Sequence, residues 1–169
     1  GSATIPQQPA QVTLAGPSEG ALDASYAFTA TVSPANATLP ITYTWEATGL
    51  SPVTHANVAS LTDTASFAWS VAGPKTITVT ASNAAGSAQA SHAFAAYAPP
   101  QAAFSATPTF GPVPLTVAFS NASTGEYRAS LWAFGDGITS TLPSPTHTYT
   151  AAGVYTVTLT ASGLGGRDT

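Results

Sequence analysis

The feature that most constrains this chain is that it repeats itself. Ala72-Gly-Pro-Lys-Thr-Ile-Thr-Val-Thr-Ala-Ser82 recurs as Ala152-Gly-Val-Tyr-Thr-Val-Thr-Leu-Thr-Ala-Ser162, 80 residues later. Phe28-Thr29 and Trp45 recur as Leu115-Thr116 and Trp132, 87 residues later. Two copies therefore share 169 residues, and each is about the size of a small β-sandwich. The offsets differ by 87 − 80 = 7 residues, which places seven extra residues between Trp45 and the Ala72-Gly73 turn. They predict a lengthened loop or hairpin in the middle of the first copy.

Each copy reads as strands. Tyr26–Val32, Ile41–Trp45, Ser66–Trp69, Ile77–Thr80 and Tyr155–Thr160 alternate apolar and polar residues with period two. In the last of these Tyr155, Val157 and Leu159 share one face, and Thr156, Thr158 and Thr160 the other. The 14 Pro and 14 Gly interrupt nearly every window long enough for a helix. The predicted class is all-β: two tandem immunoglobulin-like sandwiches, residues 10–97 and 102–169, joined by a short Pro-Pro linker at 98–101. Residues 1–9 read as a linker or tag remnant, with Gly1-Ser2 resembling a cloning scar. The first copy continues past Ser82 into a last strand, Ser87–Tyr97. The second has only Gly163–Thr169 after Ser162, so its last strand is expected to stop after about three residues.

Charge narrows the possible functions. Only Lys75, Arg128 and Arg167 are cationic, against seven Asp and Glu, for a net charge of −4. Three scattered cations cannot build a phosphate-neutralising patch or hold an anionic membrane surface, so nucleic acid and membrane insertion are not expected as partners. With no cysteine there is no disulfide and no thiolate site. Solubility falls to hydroxyls, 27 Thr and 18 Ser, and Thr also favours strands.

Trp132-Ala-Phe-Gly-Asp-Gly137, Pro145-Thr-His-Thr-Tyr149 and Ala152-Gly-Val-Tyr-Thr-Val-Thr-Leu159 follow one another in order. Over roughly Gln101 to Ser162 the chain resembles the polycystic-kidney-disease (PKD) domain family. The first copy is similar to a divergent relative that keeps Trp45 but lacks Phe-Gly-Asp-Gly. The resemblance implies an Ig-like sandwich used as a repeated or accessory module of bacterial secreted or surface proteins. Trp45, Trp132, Phe134 and Tyr155 are then expected as structural residues, with Asp136-Gly137 forming a tight turn. Some members of the family bind calcium through an Asp just after the motif Trp. Here that position is Ala133, and Asp136 with Glu126 is a thin supply for an ion that wants about six oxygens.

No other constellation carries chemistry. His55, His92 and His147 lie far apart in sequence, and no nucleophile elbow, phosphate loop or paired-carboxylate pattern occurs. No catalytic, cofactor-binding or metal residue is therefore assigned, and no cofactor is expected. His147 is expected to pack beside Tyr149, Lys75 to be solvated or to snorkel, and Phe67, Trp69 and Tyr149 to be core. Asn36-Ala-Thr38 and Asn121-Ala-Ser123 fit the glycosylation pattern but read as turns.

Three roles remain open, all extracellular or at the cell surface. The leading one is a non-catalytic structural, spacer or adhesion module whose partners are neighbouring domains of its own polypeptide. The second is an accessory module of a secreted hydrolase that touches polysaccharide or protein. The third is self-association into a filament, with Ala3–Ala10 of one copy donated as a strand to the next.

Overall fold

A computed structural model describes residues 5–169. Gly1-Ser2, and the Ala3-Thr4 start of the suggested donor segment, lie outside the described residues. Among the described residues every regular element is a strand, and no helix is long and apolar enough to cross a membrane. The chain divides into two compact units, one ending at Ala96 and the other spanning Tyr97–Thr169.

In the first unit, β1 (Gln11–Ala15), β3 (Tyr26–Ser33) and β6 (Thr62–Phe67) form one antiparallel sheet in the order β1-β3-β6. The facing sheet runs β2-β8-β7-β4-β5, from β2 (Glu19–Ala21), β4 (Ile41–Ala47), β5 (Val53–Val58), β7 (Gly73–Asn83) and β8 (Gly86–Tyr97). Alternation decides which side chains enter. Along β4, Ile41, Tyr43, Trp45 and Ala47 are buried while Thr42 and Thr44 are only partly so. Phe28, Ile77 and Val79 complete a core with no solvent exposure at these positions. Burying each such side chain contributes about 1.5–3 kcal/mol, and packing alone closes a sandwich that has no disulfide.

The seven extra residues of the first copy fall where β5 is built, a six-residue strand pairing with β4. Its counterpart in the second unit is β12, two residues long. Trp69 does not continue β6 as the alternation predicts. The strand stops at Phe67, and the Trp69 carbonyl instead accepts the Asp23 amide at 2.9 Å. Trp69 is nonetheless buried, its indole donating to the Thr48 carbonyl at 3.0 Å.

The second unit is smaller. One sheet is β13-β10-β9, from β9 (Phe104–Thr107), β10 (Leu115–Asn121) and β13 (Thr146–Tyr149). The other is β12-β11-β14-β15, from β11 (Ala129–Ala133), β12 (Thr139–Ser140), β14 (Thr158–Gly163) and β15 (Gly166–Asp168). Here the predicted strand Tyr155–Thr160 is corrected: it begins only at Thr158. In the first unit β7 is paired along its full length by the twelve-residue β8, from Gly73↔Ala96 to Asn83↔Gly86. In the second, three-residue β15 reaches only Ala161–Gly163. A strand is made by its partner, so residues 154–157 have the pattern without the pairing.

Hydroxyls take the place that charges hold on most sheet faces. Thr29 and Thr64 meet at 3.1 Å, Thr78 and Ser91 at 3.0 Å, and Thr116 and Thr148 at 2.8 Å, each across a pair of strands.

The two segments read as linkers are both anchored. The Gln7 amide donates to Thr38 Oγ1 at 2.7 Å, its carbonyl accepts from Thr38 N and Asn83 Nδ2, and Pro9 is fully buried. Within the suggested donor segment, Gln7, Pro9 and Ala10 are thus engaged with their own unit, while Ile5 is exposed. Gln101 pairs with Thr124 inside the second unit, and Pro100 is buried there beside Gly125.

Candidate functional site

Trp132–Gly137, Pro145–Tyr149 and Tyr155 build one cluster in the second unit. β11 carries Trp132 inward to full burial, where its indole donates to the Leu142 carbonyl at 2.9 Å. The next inward residue is Phe134, 2% exposed. The chain then turns sharply. Gly135 has φ +86°, and a Cβ there would lie 2.6 Å from the Thr156 carbonyl oxygen, so only glycine fits. Gly137, φ +91°, completes the turn, and the Phe134 amide bonds the Ile138 carbonyl at 3.0 Å.

Asp136 is more than a turn former. Its Oδ1 accepts the Ile138 amide at 3.1 Å, and its Oδ2 sits 2.7 Å from His147 Nε2. His147 arrives on β13, stacked on Phe134 with ring centroids 4.3 Å apart and planes 3° from parallel. It meets Tyr149 edge-on at 4.6 Å. Burial tends to raise the Asp136 pKa, but the hydrogen bond from His147, the Ile138 amide and the imidazole charge together hold it below its ordinary value. Tyr149 donates to the Phe134 carbonyl at 2.9 Å, and its own ionisation is pushed up by burial and then by the Asp136 charge. Tyr155 is half-buried, stacks on Tyr149 at 4.3 Å, and donates to the Ala151 carbonyl at 2.9 Å.

The first unit holds a parallel arrangement. Trp45, fully buried, donates through Nε1 to Asp63 Oδ2 at 2.7 Å, and His55 Nδ1 lies 2.7 Å from the same oxygen. Burial and the Asp63 charge push the neighbouring Tyr43 phenol up to about 12. Both His–Asp pairs escape a reading along the sequence. His55 and Asp63 come from separate strands, and Asp136 and His147 are eleven residues apart. The available signal was the His147 position itself, two residues before a motif Tyr.

A His–Asp pair is the base half of a hydrolytic triad, but the other half is a hydroxyl within hydrogen-bond reach of the imidazole. Among the described residues no hydroxyl bonds either ring, and His147 lies against Phe134 rather than in a cleft. His92 is separate again, with Nε2 2.9 Å from the Pro17 carbonyl. No three His, Asp or Glu side chains among the described residues group as metal ligands. Both Asp136 oxygens are already engaged by hydrogen bonds, and Ala133 offers no oxygen from its side chain.

The remaining candidates take ordinary places. Phe67, Trp69 and Tyr149 are 4%, 4% and 7% exposed, which leaves no aromatic platform on those faces. Lys75 is half-buried on β7 opposite Phe94. Asn36 sits in a turn. Asn121 ends β10, its Oδ1 capping the Ser123 amide at 2.9 Å, while its Nδ2 is buried without a partner. A buried amide nitrogen is a poor acceptor for a glycan.

Residues 97–169 match the family model described as PKD domain, so the second unit carries a PKD domain. A 44-residue stretch is 48% identical to Collagenase ColA of Bacillus cereus, covering 26% of this chain and 5% of that protein. Among solved structures, the full ectodomain of mouse nectin-like molecule 4 aligns at 17% identity and a TM-score of 0.43. That alignment covers 95% of this chain and 62% of the other.

Proposed function

We propose that this chain is a non-catalytic structural module, a spacer that carries or separates other domains of a larger bacterial extracellular protein. The observation that carries this reading is the fate of the polar groups at the motif. The Asp136 carboxylate, His147 Nε2 and the Tyr149 and Tyr155 hydroxyls are all engaged by neighbouring protein groups, so the polar groups of the motif act to hold loops in place. The match of the second unit to PKD domains supports it, as does the short stretch shared with a bacterial collagenase, a far longer protein.

Sedimentation with a panel of insoluble polysaccharides and fibrous proteins tests the proposal. A spacer stays in the supernatant with all of them. Saturable retention on one polymer would replace it with the second reading, an accessory binding module of a hydrolase. That reading is favoured by the collagenase match alone.

A further inference from the structure

At the repeat offset of 80, Trp69 and Lys75 of the first unit correspond to Tyr149 and Tyr155 of the second. The second unit closes this corner on itself, its two phenol rings stacked at 4.3 Å and both hydroxyls donating to carbonyls of the same unit. The first unit leaves it open. Lys75 falls on the same side of β7 as buried Ile77 and Val79, yet it is only half-buried. It lines a cleft of about 210 Å³, shared with Asp23, Thr48, Leu50, Trp69 and Val71.

The walls of the cleft are braced by the protein itself. The Trp69 carbonyl accepts the Asp23 amide at 2.9 Å, and the Trp69 indole donates to the Thr48 carbonyl at 3.0 Å. Thr48 in turn holds β7, since its Oγ1 accepts the Thr76 amide, next to Lys75, at 2.9 Å. Trp69 is fixed by stacking on Phe94 at 4.8 Å. Asp23 has φ 59°, a left-handed conformation that Asp and Asn tolerate better than most residues. Two opposite charges therefore line one cleft without meeting. Among the described residues neither the Lys75 ammonium nor the Asp23 carboxylate has a hydrogen-bond or ion-pair partner, each other included. Lys75 is also the only Lys or Arg among residues 1–96, so the cleft holds the one cation of its unit.

We propose that this cleft binds a small zwitterion of the size of an apolar α-amino acid, its carboxylate on Lys75 and its ammonium on Asp23. Such a ligand pairs both wall charges at once, each through a charge-assisted hydrogen bond. Leu50 and Val71, 37% and 68% exposed, line the same cleft and cover the ligand's apolar side chain. Volume sets the upper size, since clefts for drug-sized ligands start at about 300 Å³. Charge argues against an acidic polymer. The first unit carries four Asp and Glu against the single Lys75, so a polyanion meets a net negative field. A ligand with only one of the two charges leaves the opposite wall without a partner. The inference goes beyond a spacer and does not depend on that reading.

The probe is leucine, titrated into the isotope-labelled full chain. Saturable amide shifts should concentrate at Asp23, 48–50, 68–71 and Lys75. Isocaproate and isoamylamine, which are leucine without its ammonium and without its carboxylate, should each bind at least about tenfold more weakly, as loss of a hydrogen bond to a charged group does. K75M keeps the apolar stem of the side chain, and D23N keeps a residue that accepts the left-handed backbone. Both should leave the melting temperature of the chain unchanged and weaken leucine binding by a similar factor. No saturable shift up to the solubility limit of leucine would overturn the proposal, as would binding indifferent to both substitutions. Isocaproate binding as tightly as leucine would reduce the cleft to an anion site and overturn the zwitterion as its ligand.

Discussion

The imidazole of His147 lies flat on the ring of Phe134, 4.3 Å away, while its Nε2 reaches the carboxylate of Asp136 at 2.7 Å. One side chain thus ties the motif turn to the opposite sheet by an apolar face and a polar edge at once. Asp136 repeats the arrangement on the turn itself, since its other oxygen holds the Ile138 amide. The turn and the sandwich are fixed by the same two residues.

That relationship gives a pH dependence with a definite sign. The Asp136 carboxyl is held below its ordinary value of 3.8, so the folded second unit binds fewer protons there than the unfolded chain does. Its contribution to stability is fully present above the unfolded value and is lost as pH falls through the folded one. Calorimetry should show the melting temperature of the second unit dropping as pH is lowered below about 4. D136N should lower stability at neutral pH and flatten that acid limb. An acid limb of unchanged steepness in D136N would show that other carboxylates produce it.

The two motif glycines should separate strain from collision. G137A adopts φ +91° but meets nothing within 4 Å, so it costs only backbone strain, about 1–2 kcal/mol. G135A adopts φ +86° and also drives a Cβ to 2.6 Å from the Thr156 oxygen. Its cost should exceed that of G137A by at least about 1 kcal/mol in urea denaturation, because backbone atoms must shift. Equal losses would mean that residues 154–157 move away freely.

Much of this architecture is legible in the residues. The repeat places Trp45 and Trp132 at matching points, and the structure pairs them with matching partners, Val79 and Leu159. Period-two alternation finds β3, β4 and β7 because their burial is decided locally, residue by residue. It fails at Tyr155–Val157, where the pattern is intact but pairing depends on the length of a different strand. It fails again at Trp69, which is buried from outside any strand. The His–Asp pairs are invisible for the same reason, since contact across a sandwich is set by tertiary register and not by spacing. Gln7 and Pro9 read as linker by composition, yet Asn83, 76 residues away, holds that segment in place.

Trp132 offers the simplest test of the second core. W132A removes a fully buried side chain and should cost about 3–5 kcal/mol, the usual penalty for emptying a large site. W45A should cost a similar amount in the first unit, and it also strips Asp63 of its indole donor. A loss under about 1 kcal/mol at Trp132 would be far below that range and would place it outside the core.

Alkaline pH should act on the first unit through Tyr43. Burial first, and the Asp63 charge second, raise its phenol to about 12 in the folded state, above an ordinary value of 10.0. The folded unit therefore holds that proton more tightly than the unfolded chain. Stability from this site is complete below pH 10.0 and declines as pH rises toward about 12. The phenol also donates to the Ser60 carbonyl at 3.1 Å, a bond that the phenolate cannot make. In wild type, the tyrosinate absorbance of one ring should appear only with unfolding. Y43F should lose that late step and weaken the pH dependence of the first unit's melting between pH 10.0 and about 12. A late step that survives in Y43F would assign it to another of the six tyrosines, with Tyr149 the next to examine, since burial and Asp136 raise it too.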